Sequence, residues 1–441
     1  AFLHIREGFS WAPRCLLTCR ARRDRDTAGQ PCKRDRRMDL KSGYPFWAIK
    51  NGLMQAFPPL QADRHCDVVV VGGGITGALI ADELARNGGH EVVVLEQRDI
   101  GWGSTAASTS MLQFEIDTHM VDLARQYGQD NAAAAYLACA QAVDQLHELA
   151  RPFGDVDFMP LSSLYYASKR SHRRELEAEF SLRQRHGIDQ QWLEPEALAT
   201  RFGIQAPAAI LSAKAARVDP YRLTYRLFDR LQRDGTAVHD RTPVVEVTRQ
   251  ADQVQLRTAA GHSVTAGHVV VATGYQAQRW LRQKVASNRS SYAVITDPID
   301  PQRLGPLRHT MMWESARPYL YLRTTGDDRL LVGGLDDSLD IPAKRDASVQ
   351  GKAQRLLQQV HALFPQLPLQ PAFSWGGTFA ETADGLPFFG AHPELGPRVL
   401  FAMAYGGNGI TYSMTGAHLL RATIEGREHP LAALYGFGRL G

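Results

Sequence analysis

The sequence predicts an α/β protein: a Rossmann-type nucleotide-binding domain assembled from discontinuous segments, plus an inserted α+β domain with a mixed or antiparallel sheet. Three observations predict it. The apolar run Val68 to Val71 leads into the turn Gly72-Gly73-Gly74-Ile75-Thr76-Gly77 and a helical stretch from Ala78 to Arg86. Another buried-strand run, His268 to Ala272, passes into Thr273-Gly274 far downstream. A third, Leu400 to Ala404, enters Tyr405-Gly406-Gly407-Asn408-Gly409 and a helix from Ile410 to Glu425. The stretch between the second and third is β-rich. We therefore assign 65–150, 205–284 and 372–436 to the nucleotide-binding part and 151–204 and 285–371 to a substrate-binding part.

Taken in chain order, residues 1–37 read as a basic, disordered leader. They carry ten basic and four acidic side chains, a net +6 against +4 for the whole chain, which leaves −2 for 38–441. A near-neutral body gives no global case for nucleic acid or an anionic membrane. The leader lacks an apolar export core, so Met38 is the expected start and the cytoplasm the expected location. Cys15 and Cys19 find no completing ligands, so no metal site is expected. Cys66 and Cys139 are the remaining cysteines besides Cys32, and no disulfide framework follows. The arm at 38–64 holds Tyr44-Pro45-Phe46-Trp47 and Pro58-Pro59-Leu60, residues that pack rather than dangle.

The first glycine turn has a job for each residue. Gly72 permits the tight turn, Gly74 admits close approach of a pyrophosphate, and Gly77 lets helix and strand pack. The helix start offers free N–H groups and the positive dipole end to phosphate. Glu96 closes the next strand, 19 positions after Gly77, where a ribose-binding carboxylate belongs. Gly101 to Ser110 follows, a stretch made mostly of glycine and hydroxyl residues.

Helices are expected at 118–150, 171–186, 219–234 and 346–363, and short strands at 164–167, 236–239, 243–248 and 253–258. Strands at 292–296, 319–324 and 330–333 build the inserted sheet. Alternation along the second of these puts Tyr319, Tyr321 and Arg323 on one face. The closing turn at 406–409 aims a helix N-terminus at whatever it borders, which suits a group that gains negative charge. The longest apolar stretch, Val68 to Ala81, is too short to span a bilayer.

These residues together resemble the FAD-dependent D-amino-acid oxidase superfamily, nearest to its γ-glutamylputrescine oxidase, glycine oxidase and D-amino-acid dehydrogenase types. The matching pieces are Asp67–Gly77 with Glu96, Gly101–Ser110, Val269–Gly274, Arg329–Gly334, Trp375-Gly376-Gly377 through Asp384-Gly385-Leu386-Pro387, and Tyr405–Thr411. The resemblance implies FAD held over Gly72, Gly74, Ile75, Thr76, Gly77, Glu96 and Gln97, with the backbone of Val244 or Val245 near adenine. It also implies Gly103, Ser104, Thr105, Ser108, Thr109, Ser110, Ala272, Thr273, Gly274, Gly377, Gly406, Gly407, Asn408, Gly409, Ile410 and Thr411 around the remainder.

In such enzymes a neutral amine loses hydride from its carbon to flavin N5, and the resulting imine hydrolyses. The arginine that clamps an amino-acid carboxylate in the oxidases is matched here by Phe379, within Gly377–Thr382. An amine or modified amino acid is therefore the expected substrate, unless Arg323 or Arg317 replaces that clamp. Tyr321 and Arg323 are the catalytic candidates, with Trp375 and Phe379 walling the pocket. No cysteine follows Cys139, so the FAD is expected to be noncovalent. The electron acceptor is oxygen or a carrier. A quinone- or carrier-linked dehydrogenase, a flavin-binding partner subunit and a tRNA-modifying flavoprotein are the alternatives.

Overall fold

Two sheets carry the molecule, and the functional residues lie where they face each other. The computed structural model describes residues 39–338 and 340–440, and residues from Asp39 onward form one compact unit. The expected leader lies outside the described residues.

The first sheet has eight strands, ordered Phe388–Ala391, Val399–Met403, Ser263–Val271, Arg64–Val71, Val92–Leu95 and Ala237–His239, with Val244–Arg249 and Val254–Thr258 attached at the side. Pairings from Val399–Met403 to Ala237–His239 are all parallel. Parallel strands need both faces covered, which is why Val68 to Val71 and Val92 to Leu95 are continuous apolar runs. Val68 and Val70 pack with helices Ile75–Asp82, Pro220–Arg233 and Gly409–Ile424, while Val69 and Val71 join a second core with Leu256, Val264 and Phe401.

The second sheet has nine strands. Its order is Pro371–Glu381, Ser287–Pro298, Arg329–Asp337, Tyr321–Thr324, Thr310–Glu314, Met159–Tyr166, Ala209–Arg217 and Met111–Gln113, with Gln191–Leu193 on the side. One pairing, Thr310–Glu314 with Met159–Tyr166, is parallel and the rest are antiparallel. The expected mixed sheet is present. Helix Pro342–Leu363 covers its far face through Val349, Leu356 and Val360.

The segment boundaries differ from expectation in three places. Met111–Gln113, Ala209–Arg217 and Pro371–Glu381 fall in stretches assigned to the nucleotide part, yet all three hydrogen-bond into the nine-stranded sheet. Ala209–Arg217 is rich in alanine and lacks clean alternation, so its pairing was not readable. Helix Pro342–Leu363 begins four residues before the expected 346 because Pro342 takes the first-turn position, where its missing N–H costs nothing. Asp219 caps Pro220–Arg233 by accepting the Arg222 N–H at 2.9 Å. Among the described residues, no helix is long and apolar enough to cross a membrane.

Candidate active site

The three glycine-bearing turns converge on one cavity. Gly72, Gly74, Ala272, Thr273, Gly274, Gly406, Gly407 and Gly409 all border it. The convergence is built from backbone. Ala272 donates its N–H to Val71 O at 2.8 Å, and Gly72 donates to Leu95 O at 2.9 Å. The Tyr405 hydroxyl reaches Gly274 O at 3.2 Å, and Thr76 Oγ1 meets Ser413 Oγ at 2.8 Å, tying the two turn-borne helices together. Gly72 has φ +121°, and a Cβ there would stand 2.3 Å from Ala272 O. No side chain fits that position.

Glu96 borders the cavity beside the first turn and accepts N–H bonds from Gly73 at 2.7 Å and Arg98 at 2.8 Å. Burial holds its carboxyl above the usual range, and those two N–H groups and the Arg98 charge offset only part of that rise. It is thereby oriented before any ligand arrives. A sugar hydroxyl donating to Glu96 forms a charge-assisted bond worth about 1.5–3 kcal/mol. Glu96→Ala is accordingly expected to weaken FAD binding by about 10- to 100-fold in a titration of the apoprotein. Unchanged affinity would remove Glu96 from the site.

The loop from Gly103 to Ser110 is held from outside by its carbonyls. Trp375 Nε1 donates to Ala107 O at 2.8 Å, Trp47 Nε1 to Ser108 O at 2.8 Å, and Arg323 Nε to Thr109 O at 2.7 Å. Those three grips leave Ser104, Thr105, Ser108, Thr109 and Ser110 bordering the cavity. Trp47 sits on the short helix Phe46–Asn51, so the aromatic arm is part of the site's frame. Thr105 Oγ1 accepts the Ile75 N–H at 3.0 Å, so one donor of the first helix turn is already satisfied within the protein.

Arg323 corrects an expectation. It does share a strand face with Tyr321, but it is 0% exposed and does not border the cavity. Its guanidinium also donates to Thr324 O at 3.0 Å and Val218 O at 3.3 Å. Burial lowers it to about 10, still charged at neutral pH. Arg323 is a brace for the loop and holds no substrate. Arg317 does not replace it: it is exposed, donates to Asp117 O at 3.0 Å and lies 4.6 Å over the Tyr319 ring, outside the cavity wall.

Val244 borders the cavity, and Val245 beside it is 63% exposed. Asn408, Thr411 and Gly77 shape the turns without lining the space between them. Asn408 Nδ2 donates to Gln113 O and Glu115 O at 3.1 and 2.8 Å, and Thr411 Oγ1 to Asn408 O at 2.9 Å. Ile75, Thr76, Gln97, Ile410, Gly377, Trp375, Tyr321 and Phe379 all border the cavity.

Sequence reasoning missed Asp117, Asp336, Trp313, Ser291 and Tyr275, which also line it. Asp117 accepts the Gly407 N–H at 2.7 Å and the Tyr319 hydroxyl at 3.0 Å, fixing the third turn to the inserted sheet. No periodicity marks it. Tyr321 lies flat against Gly333, where a Cβ would stand 2.3 Å from its ring. Burial pushes the Tyr321 hydroxyl up to about 12, so it stays protonated and able to donate.

The residues present fit an FAD. Bordering the cavity, Ser104 Oγ, Ser110 Oγ, Thr273 Oγ1 and Trp280 Nε1 are out of solvent and have no hydrogen-bond partner among the described residues. Native folds leave few such atoms, so a polar ligand accounts for them. Gly72 and Gly74 keep side chains out of the phosphate position, and helix Gly409–Ile424 has no side-chain cap at its cavity end. Among the described residues, neither Cys66 nor Cys139 lines the cavity.

Comparison with known proteins agrees with this geometry. The chain is 25% identical over 398 residues to γ-glutamylputrescine oxidoreductase of Escherichia coli (strain K12), covering 86% of this chain and 88% of that one. It is 28% identical over 373 residues to glycine oxidase of Geobacillus kaustophilus (strain HTA426), covering 82% and 93%. The crystal structure of L-proline dehydrogenase from P. horikoshii superposes with a TM-score of 0.72 at 20% identity, over 86% of this chain and 98% of that one. The family model for DAO, the FAD dependent oxidoreductases, matches residues 67–423, and with its glycine turns gathered on one FAD-shaped cavity the chain belongs to that family.

Proposed function

We propose that this enzyme oxidises the C–N bond of a small amine or amino-acid-like substrate. The observation that carries the reading is the single cavity running from Gly72–Gly74 to Gly406–Ile410 and ending against Tyr319, Tyr321, Trp313 and Phe379. The names and similarity of the relatives support it. FAD, when bound, supplies the acceptor for a hydride leaving the substrate's amine-bearing carbon, and the imine so formed is hydrolysed.

The chain's own residues bind, orient and exclude. Trp375, Phe379 and Tyr321 form apolar walls that keep water from the reacting carbon and hold the amine in one orientation. Tyr321, protonated and beside Thr109 and Ser291, donates a hydrogen bond rather than taking a proton. The uncapped start of Gly409–Ile424 directs a positive dipole end at the cavity, which favours negative charge developing there.

The test is anaerobic mixing of the FAD-loaded protein with a panel of amines, polyamine conjugates and amino acids. Loss of visible flavin absorbance with at least one primary or secondary amine is expected. A flavin that no amine bleaches, though dithionite does, would refute the reading. Admitting air afterwards shows whether oxygen or a carrier takes the electrons.

A further inference from the structure

We propose that the substrate end of this cavity selects an amine that carries a cationic group besides the neutral nitrogen being oxidised and has no carboxylate on its reacting carbon, and that Asp336 receives that positive charge. This rests on the reading that amines are oxidised here, and it narrows which ones.

Asp336 reaches the cavity through a local break in the sheet. Along Arg329–Asp337, Leu331 and Gly333 face the cavity side with Tyr321, while Leu330 and Val332 face helix Pro342–Leu363. Regular alternation would send Asp336 toward that helix. Instead the pairing with Ser287–Pro298 shifts between Tyr292–Gly334 and Ser290–Asp337, leaving an extra residue on this strand. Gly334 has φ +138° and Leu335 φ +55°, a conformation a leucine rarely adopts. The bulge reverses the two neighbouring acids. Asp337 turns to the helix side, where it accepts from Lys352 Nζ and the Tyr292 hydroxyl, both at 2.7 Å. Asp336 turns into the cavity beside the Ser291 hydroxyl. Bulges near sites commonly re-aim a side chain in this way.

What meets Asp336 there is suited to a cation. Its Oδ1 is out of solvent with no hydrogen-bond partner among the described residues. Burial, with repulsion from Glu381 and Asp117, pushes the carboxyl up to about 6, and the Ser291 hydroxyl and the Lys352 charge offset only part of that. Trp313, Tyr319, Tyr321 and Phe379 supply ring surface nearby, whose faces attract a desolvated ammonium. Asp117 adds a second carboxylate to the same end. The lining arginines sit elsewhere: Arg98 adjoins Glu96, and Arg279 lies on the segment whose Gln276 meets Gln97 at 3.3 Å. A carboxylate on the reacting carbon would therefore face two lining acids, while Arg317, which meets this end through the Asp117 carbonyl and the Tyr319 ring, is not among the lining residues.

The test uses FAD-loaded protein and needs no turnover. Tetramethylammonium and, separately, benzoate are titrated while the flavin absorbance spectrum is followed. Tetramethylammonium is expected to bind and benzoate to bind weaker or not at all. Asp336→Asn should weaken tetramethylammonium binding by about 10- to 100-fold with FAD content unchanged, and Asp336→Glu should recover part of it. For an amine that turns over, KM should rise by more than kcat falls. Benzoate binding tighter than tetramethylammonium, or an Asp336→Asn protein with wild-type cation affinity, would overturn the proposal. If no amine bleaches the flavin while the Asp336-dependent cation site persists, the oxidation reading fails and this one stands. If amines bleach it without regard to Asp336, the reverse holds.

Discussion

Gly77→Ala is expected to destabilise the FAD-loaded protein by about 2–3 kcal/mol and to strip most of its flavin, although alanine is the better helix former. Propensity alone argues for a gain of up to about 1 kcal/mol in a helix interior. Packing argues the other way and wins. A Cβ at Gly77 would stand 1.9 Å from Gly72 O and 3.0 Å from Gly72 C, both backbone atoms. Relief requires lifting helix Ile75–Asp82 off the strand or opening the turn, and overpacking of this kind costs about 1–3 kcal/mol, sometimes more. The displaced carbonyl belongs to the turn that borders the cavity, so FAD affinity is expected to fall with stability. Gly351 is the control. It sits exposed in helix Pro342–Leu363 with nothing within 4 Å of a built Cβ, so Gly351→Ala should stabilise by up to about 1 kcal/mol. Calorimetry and released-FAD absorbance on both variants read the contrast. A yellow Gly77→Ala protein melting with wild type would refute the close-packing argument.

The parts of this molecule that were legible in the sequence are those dictated by local chemistry. Gly72, Gly74 and Gly77 are required by backbone approach, Glu96 by its distance from the turn, and Val68 to Val71 by burial on two faces. Failures arose where a tertiary partner decides. Tyr321 and Arg323 do lie on one strand face, but the cavity reaches only the first. Two residues further, about 6.6 Å along the strand, the face meets the underside of the 104–110 loop instead. Asp336 is placed by a bulge that inverts alternation, and nothing in Gly333-Gly334-Leu335 announces which acid will turn inward. Asp117 becomes functional only because Gly407, distant in sequence, brings an N–H to it. Most of Pro371–Glu381 is assigned to the flavin segment by the resemblance of Trp375-Gly376-Gly377, of which Trp375 and Gly377 border the cavity. Its ladder runs with Ser287–Pro298, so one strand serves the inserted sheet and the cavity wall together.

The buried ion pair behind the site carries the other large prediction. Glu179 and Arg183 are both 0% exposed, with Arg183 Nε donating to Glu179 Oε1 at 2.8 Å. The same carboxylate accepts N–H bonds from Met120 at 2.8 Å and Val121 at 3.0 Å, capping helix Met120–Tyr127 from outside. That helix follows directly on the segment whose Gln113 and Asp117 border the cavity. Removing the carboxylate leaves a buried guanidinium over the Phe114 and Tyr136 rings with no counter-charge at that position, and frees one buried and one part-buried N–H donor. Glu179→Ala is therefore expected to cost about 3–5 kcal/mol, read as a lower denaturant midpoint. Glu115 also feels the Arg183 charge, but burial raises its carboxyl and weakens it as a replacement.

The pair also has a pH signature. Burial alone would raise the Glu179 carboxyl, but Arg183, His119 and the two N–H groups outweigh it and hold it below the usual range. A carboxyl lowered in the folded state contributes stability above its unfolded value, near pH 4.5, and loses that contribution as pH falls through the folded value. Wild-type protein should lose stability steeply below about pH 4.5, and Glu179→Gln, which keeps the shape but cannot titrate, should show a shallower acid limb from a lower plateau. Acid limbs of equal slope would mean the pair does not govern this side of the fold, and a Glu179→Ala variant as stable as wild type would mean Arg183 finds another counter-charge when its partner is gone.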